Sequence, residues 1–279
     1  MRVPRMADIP FVVGLVNEHA PEPMSEETME LEWSASYVDL DRDARIEDDA
    51  YVLVETIDAE RVWLNVHGRP SAELFDWMDA QAAERAPKAF SGAWSTDLAL
   101  PGVLRGRGFR NVRSSHRMLL DLAEPTADPQ WPDGIAVRTF EPGDEKTFYD
   151  VHQETFRDTW EPIEDSYEEW AHWFLEPSAL VPELWFLAHA DGDPAGVAIC
   201  HPHETRPECG WVRVLGVRRA WRRNGLGRAL LLHAFSEFRR RGLAAAGLGV
   251  DSESETGAHR LYASVGMHPA ARFDILERP

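Results

Sequence analysis

One stretch constrains this chain more than any other: an apolar run at Trp211–Val217, then RRAWRRNGLG over 218–227, then an amphipathic run to Arg241. The first part reads as a strand. The last reads as a helix, with Leu226, Leu230, Ala234 and Phe238 four apart on one face, three arginines in its last turn, and Gly242 where a helix-ending glycine belongs. A helix N-terminus presents unpaired N–H groups and partial positive charge, so a turn placed there receives phosphate well. Gly225 and Gly227 let the backbone curl and approach a ligand with no Cβ in the way. Arg222, Arg223 and Arg228 add charge at the same spot.

The charge distribution points to the same place. The 279 residues carry a net charge of −19, yet residues 210–242 hold nine arginines against a single acid, Glu237. A basic island in an acidic chain implies a bound anion, whereas a solvated helix face usually mixes both signs. The acidic whole argues against general nucleic-acid binding. No run of about 18 apolar residues offers a membrane span, and the N-terminus, with Asp8 and no apolar core, does not read as a signal peptide. Two cysteines, Cys200 and Cys209, cannot build a disulfide framework or a four-cysteine metal site. His201-x-His203 without further ligands is a weak metal signal, so no metal is expected. The expectation is a soluble, cytoplasmic protein.

The segment AEPTADPQWPDG at 123–134 has three prolines and no period, and it punctuates the chain near its middle. The domains expected are therefore 1–125, a linker 126–134, and 135–279. The second half alternates: strand 135–139, helix 142–157, short helix 166–174, strands 184–190 and 195–200 around a turn at 191–193, strand 210–217, helix 226–241, strand 243–250, helix 256–265 and strand 271–276. The first half echoes it. Val62–Val66 followed by Glu73–Arg85 imitates Val212–Val217 followed by Leu226–Arg241, and Val103–Phe109 imitates Leu261–Met267. Between its strand and helix, however, the first copy has only His67-Gly68-Arg69-Pro70, too short to wrap a phosphate.

Arg222-x-x-Gly225-x-Gly227, together with the order of elements over 135–279, resembles the acyl-CoA pyrophosphate signature and fold of the GCN5-related N-acetyltransferase (GNAT) family. The resemblance implies an α/β (α+β) fold with two tandem GNAT-like domains. Each would be a mixed, mostly antiparallel sheet flanked by helices, the C-terminal one complete and the N-terminal one degenerate. It implies acetyl-CoA as co-substrate, held by the backbone of Leu215, Gly216 and Val217 and by Arg222, Arg223, Asn224, Gly225, Leu226, Gly227 and Arg228. Ser254 stands where the family usually has an Asn that contacts the cofactor. Tyr262 matches the position of a tyrosine general acid, and Leu104 stands there in the first copy, which is therefore not expected to bind acyl-CoA productively.

The implied chemistry is direct acyl transfer to an amine, with Tyr262 protonating the leaving thiolate. Family members often place an acid on the strand before the loop, but here those positions read Trp211, Val212, Arg213 and Val214. The base is left open among His152, His201, His203, Glu204, Glu208 and a water chain. Acids and aromatics interleave over 157–173, and Trp160 and Glu161 are the candidate acceptor contacts, pointing to a cationic small-molecule amine. A catalytically silent acyl-CoA or ligand-binding module and a protein N-acetyltransferase stand as alternatives. Nucleic acid and membrane are not expected partners, and the chain is expected as a pseudo-dimeric monomer or a homodimer.

Overall fold

The structure, a computed structural model, describes residues 1–162, 164–176, 180–253 and 257–279. The chain divides into two units: Met1–His116 with Ala271–Pro279, and Arg117–Ala270. The sequence places its boundary at 126–134; the division instead falls inside a strand, between His116 and Arg117, and returns the last nine residues to the first unit. The reason lies in that last strand, which pairs with a strand of the first unit.

The first unit comprises α1 (Ile9–Asn17), α2 (Glu26–Trp33), α3 (Leu40–Asp43), β1 (Ala44–Glu47), β2 (Ala50–Thr56), β3 (Arg61–Gly68), α4 (Ala72–Arg85), β4 (Lys88–Trp94), α5 (Leu100–Gly106) and the start of β5 (Arg110–Asp121). Strands β1, β2 and β3 pair antiparallel in that order, and β3 pairs parallel with β4. Val52, Val54, Val62, Leu64 and Val66 alternate onto the α4 face, where they pack on Leu74, Phe75 and Met78. Tyr51 and Leu53 point the other way, into a cluster with Val12, Met29 and Trp33 from α1 and α2. The Ser71 hydroxyl accepts from Leu74 N and starts α4.

The second unit comprises the end of β5, β6 (Ile135–Thr139), α6 (Glu145–Phe156), α7 (Tyr167–Phe174), β7 (Trp185–Ala190), β8 (Asp193–His203), β9 (Arg206–Val217), α8 (Leu226–Arg240), β10 (Ala245–Asp251) and α9 (Ala258–Ser264). Its strand order is β5-β10-β9-β8-β7-β6. Strands β6 to β9 pair antiparallel, and β9 pairs parallel with β10 across the helix α8. Leu226, Leu230, Ala234 and Phe238 bury the predicted face of α8 against Ala198, Cys200, Val212 and Leu248. On the opposite sheet face Phe148, Val151, Trp170 and Phe174 cover Val197, Ile199 and Val214. The sheet is thus apolar on both faces, as a layer between helices must be. The final strand, β11 (His268–Arg278), pairs antiparallel with β4, Phe273 opposite Trp94 through Arg278 opposite Ala89.

Candidate active site

Strands β9 and β10 part company. Their parallel ladder runs from Cys209–Ala245 to Val212–Leu248, while β9 continues five residues further to Val217. That stretch stays paired on its other side with β8, Leu215 opposite Ala198, Gly216 opposite Val197 and Val217 opposite Gly196. The β10 side of Arg213–Val217 therefore has backbone N–H and C=O groups with no strand beside them, and such groups require a partner.

The register of β8 and β9 shifts at the same place. Ile199 faces Val214, and Cys200 faces Val212, so Arg213 is the extra residue of a β-bulge. A bulge breaks strand alternation. Val212 packs in the cluster under α8, but Arg213 and Val214 both lie toward α6 and α7. Gly216 faces the same way, where a Cβ would stand 2.5 Å from Thr155 Oγ1. Its lack of a side chain is thus a packing requirement of α6 on β9.

The turn after β9 is left-handed at two positions. A single 3-10 turn, Arg219–Trp221, leads into Arg223 at φ 64° and Gly225 at φ 95°. Left-handed residues in close succession turn consecutive N–H groups to one side, the geometry of an anion nest. Leu226 N donates to Asn224 Oδ1 at 3.1 Å, and Ala229 N to Gly225 O. The amides of Arg223, Asn224, Gly225, Gly227 and Arg228 have no acceptor among the described residues, and α8 has no side-chain cap at Gly225. The Arg223 and Arg228 guanidiniums make no ion pair among the described residues either.

Arg222 behaves differently from its neighbours. Its Nε donates to Val217 O at 2.8 Å and its Nη1 to Asp158 at 2.7 Å. Asp158 also pairs with Arg219, and the two arginines, Arg219 foremost, hold its carboxyl well below the usual range. Asp158 follows the C-terminus of α6, so the Arg222 side chain clamps the turn to that helix. Of the 222–228 arginines, the two with side chains left for a ligand are Arg223 and Arg228.

Tyr262 sits on α9, 8% exposed, in the cluster beneath α8. Burial raises its phenol to about 12, so it keeps its proton at neutral pH. Leu104 occupies the comparable place on α5 and is fully buried. Ser254 lies outside the described residues. Trp160 and Glu161 stand in the connection from α6 to α7, both partly exposed, with Glu161 in a left-handed conformation at φ 46°.

The face toward α6 and α7 carries groups that the sequence does not link. The Trp170 Nε1–H donates to His152 Nδ1 at 3.0 Å. Burial, then the charge of Arg213, lowers His152 to about 4, so it is neutral with its proton on Nε2 and has no lone pair left for a base. His201 is the reverse case. Its Nδ1–H donates to Pro202 O at 2.7 Å, leaving Nε2 as an acceptor, and burial lowers its pKa so that it is neutral at pH 7. Arg213 Nη1 donates to Trp173 O at 2.9 Å, and its guanidinium lies 4.0 Å from the centre of the Phe174 ring. No single residue type announces a bulge, so the position of Arg213 could not be read from composition or period. The acids of 158–169 are in part structural: Asp158 clamps the turn, and Glu169 forms a capping box with Ser166.

The acetyltransferase (GNAT) family matches residues 146–267, the whole stretch from α6 to the end of α9. A GCN5-related N-acetyltransferase from Sphaerobacter thermophilus superposes on all of this chain and 95% of its own, with a TM-score of 0.78 and 29% identity. Over residues 146–267 the chain matches the GNAT family. A tandem GNAT protein from the clavulanic acid biosynthesis pathway has the same fold, with a TM-score of 0.71 over 99% of this chain and 96% of its own at 13% identity. Among curated relatives, the mycothiol acetyltransferase of Thermobispora bispora is 36% identical over 185 residues, 60% of this chain and 59% of the relative. That of Thermomonospora curvata is 37% identical over 161 residues, 54% and 51% respectively. This chain thus spans between half and three-fifths of the curated relatives it matches. GNAT acetyltransferases use acetyl-CoA as co-substrate. Among the described residues no group of three or more His, Cys, Asp or Glu is placed to hold a metal ion, and no helix is long and apolar enough to cross a membrane.

Proposed function

We propose that this chain is an acetyl-CoA-dependent N-acetyltransferase acting on a small-molecule amine, with its one acyl-CoA site in the second unit. The observation that carries this reading is the coincidence of two features: β9 leaves β10 after Val212, and the turn after β9 presents five unpartnered amides between Arg223 and Arg228. Amides of that kind and two available guanidiniums suit a pyrophosphate. The open edge of Arg213–Val217 suits the amides of a pantetheine arm, as an added strand would. Residues Leu215, Gly216 and Val217 take part through their backbone, and Arg222 acts by fixing the turn.

In the transfer step the amine nitrogen bonds to the thioester carbonyl carbon, the C–S bond breaks, the nitrogen loses a proton and the sulfur gains one. Tyr262 supplies the sulfur's proton, since its phenol is un-ionised at neutral pH. His201 Nε2 is the group best suited to take the amine's proton, because it is neutral and keeps a lone pair. His152 is unsuited, because its Nδ1 is already occupied by the Trp170 N–H. An unpaired N–H of β9 at the bulge stabilises the developing oxyanion. Trp160 and Glu161 wall the acceptor.

Calorimetric titration of acetyl-CoA into the wild type and Gly225→Asp tests the reading. One site per chain in the wild type, lost when a carboxylate enters the turn, supports it. A folded wild type with no heat of binding refutes it. Acylation of basic peptides in preference to small amines would shift the reading to a protein N-acetyltransferase.

A further inference from the structure

Arg213 stands out on physical grounds. It is partly buried, it is placed by a bulge rather than by strand alternation, and it makes no ion pair among the described residues. Its one side-chain hydrogen bond among the described residues, to Trp173 O, leaves most of its five N–H donors without an acceptor there. Glu204, in the turn between β8 and β9, is near enough to favour its charge but does not bond to it. A cation taken partly out of water without a counter-ion is costly, and bulges of this kind re-aim side chains beside active sites. The Phe174 ring beneath the guanidinium, itself stacked on Trp170 with centroids 5.0 Å apart, holds the planar fork in one orientation. The neighbouring His152 accepts from Trp170 at Nδ1, so its remaining ring nitrogen, Nε2, is a donor. The Arg213 guanidinium and the His152 Nε2–H both favour an acidic ligand. The place matters too, because Arg213 directly follows the last residue that β9 pairs with β10.

Building on the acetyltransferase reading, we infer that the acceptor is a small amine bearing a carboxylate or phosphate close to its nitrogen, and that Arg213 recognises this acidic group with its planar fork. A guanidinium matches two oxygens of either anion at once, which a neutral hydroxyl or amide cannot do. The reacting amine then lies at the mouth of the strand opening while the anion stays on the Phe174 side. Arg213 is a specificity-determining residue here; it neither gains nor loses a proton in the transfer.

The test uses matched acceptors at saturating acetyl-CoA, monitored by release of CoA thiol: alanine against alaninamide, phenylalanine against phenylalaninamide, and glucosamine 6-phosphate against glucosamine. At least one pair is expected to show a tenfold or greater preference in kcat/KM for the acidic member. Arg213→Gln is expected to abolish the preference with acetyl-CoA affinity unchanged, and Arg213→Lys to keep part of it. The amino-acid and sugar-phosphate arms separate carboxylate from phosphate recognition. Titration of the CoA-bound wild type with the same six compounds gives a readout that needs neither turnover nor a folded variant. Equal binding and turnover of both members in every pair, no binding of any acidic member, or a preference that survives in Arg213→Gln would each overturn the inference. If acetyl-CoA binds and the acid preference is missing, only the inference fails; if acetyl-CoA does not bind, the acetyltransferase reading fails with it.

Discussion

Replacing Gly227 with alanine separates folding from binding at the centre of the site. Gly227 is already helical, the second residue of α8, and a Cβ there would meet Leu261 Cδ2 and Val217 Cγ2 at 3.6 Å, ordinary van der Waals contact. The free protein therefore gains from the change. Alanine is favoured over glycine in helices by up to about 1 kcal/mol, less in a first turn, so the melting temperature should rise by at most about 2–4 °C. Binding should move the other way. The Gly227 amide is one of the unpartnered donors of the turn, and a methyl beside it keeps a phosphate oxygen from hydrogen-bond distance. Loss of one charge-assisted bond costs roughly 1.5–3 kcal/mol, which is about ten- to a hundredfold in Kd for acetyl-CoA. Thermal melts and calorimetry on the same preparation read both quantities. Gly225→Ala is the control: its Cβ would meet nothing within 4 Å, but its φ of 95° strains any L-residue, so stability and affinity should fall together. A Gly227→Ala protein that binds acetyl-CoA as tightly as the wild type would refute the placement of the pyrophosphate on this turn.

Three further outcomes are expected. Tyr262→Phe should lower kcat about 10²–10⁴-fold with KM for acetyl-CoA little changed, measured by steady-state kinetics; an undiminished kcat would remove Tyr262 from the chemistry. Gly216→Ala should cost about 1–3 kcal/mol in urea unfolding, because its Cβ would overlap Thr155 Oγ1, and Thr155→Ala should restore part of that loss in the double variant. The pH dependence of unfolding should show opposing histidine and glutamate contributions. His67 and His152 are lowered to about 4 by burial, so between pH 6.5 and 4 the unfolded chain binds protons that the folded chain does not, and stability falls as the pH drops through that window. Glu32 is raised to about 8, chiefly by burial and then by Glu55, so its contribution is fully present below pH 4.5 and is lost as the pH rises to 8. Glu32→Gln should therefore stabilise the protein at pH 8 and change little at pH 4.5; equal effects at both would refute the assignment.

How much of this is legible in the sequence depends on whether the signal is local. The α8 helix, its apolar face and Gly242 at φ 78° follow from residues within a few positions of one another, and period and terminator chemistry suffice. The glycine turn is legible as a candidate anion site for the same reason. Its internal division of labour is not. Arg222 reads as one more cation, but Asp158, 64 residues earlier, draws its side chain inward, and only the packing of α6 against β9 brings the two together. Gly216 reads as ligand backbone, yet Thr155 alone accounts for its missing side chain. In the sequence Arg213 marks only a place where an acid is missing. Its meaning depends on a register shift between strands, which no periodicity encodes. The final strand lies close to its expected place, but its pairing with β4 is not legible, because a strand's period shows which face is buried and not which neighbour it pairs with.

On the proposed reading, parted strands do not by themselves make an acyl-CoA site, and the first unit supplies the comparison. There β3 and β4 also pair parallel, from Arg61–Lys88 to Leu64–Ser91, and β3 also runs on past the last pair to Gly68. The connection beyond β3 is where the two units differ. Between Gly68 and the start of α4 at Ala72 there is room only for a tight turn, and Ser71 caps the helix with its own hydroxyl, so the anion-binding end of α4 is already occupied. Beyond the last pair, the Phe273 ring lies against Gly92, where a Cβ would come within 2.1 Å of it. The cavity that remains among Trp63, Asn65, His67, Trp94 and Phe273 is about 70 Å³, space for a few water molecules and not for a pantetheine arm. The second unit joins its parted strand to its helix through the longer stretch Arg218–Gly225, and that helix has no side-chain cap at Gly225 and leaves the amides of Gly227 and Arg228 without an acceptor among the described residues. The difference between the copies therefore lies in the connection and the cap, and a stoichiometry of one acetyl-CoA per chain is the expected consequence. Two equivalent sites by calorimetry would mean that the sheet, and not the turn, determines binding.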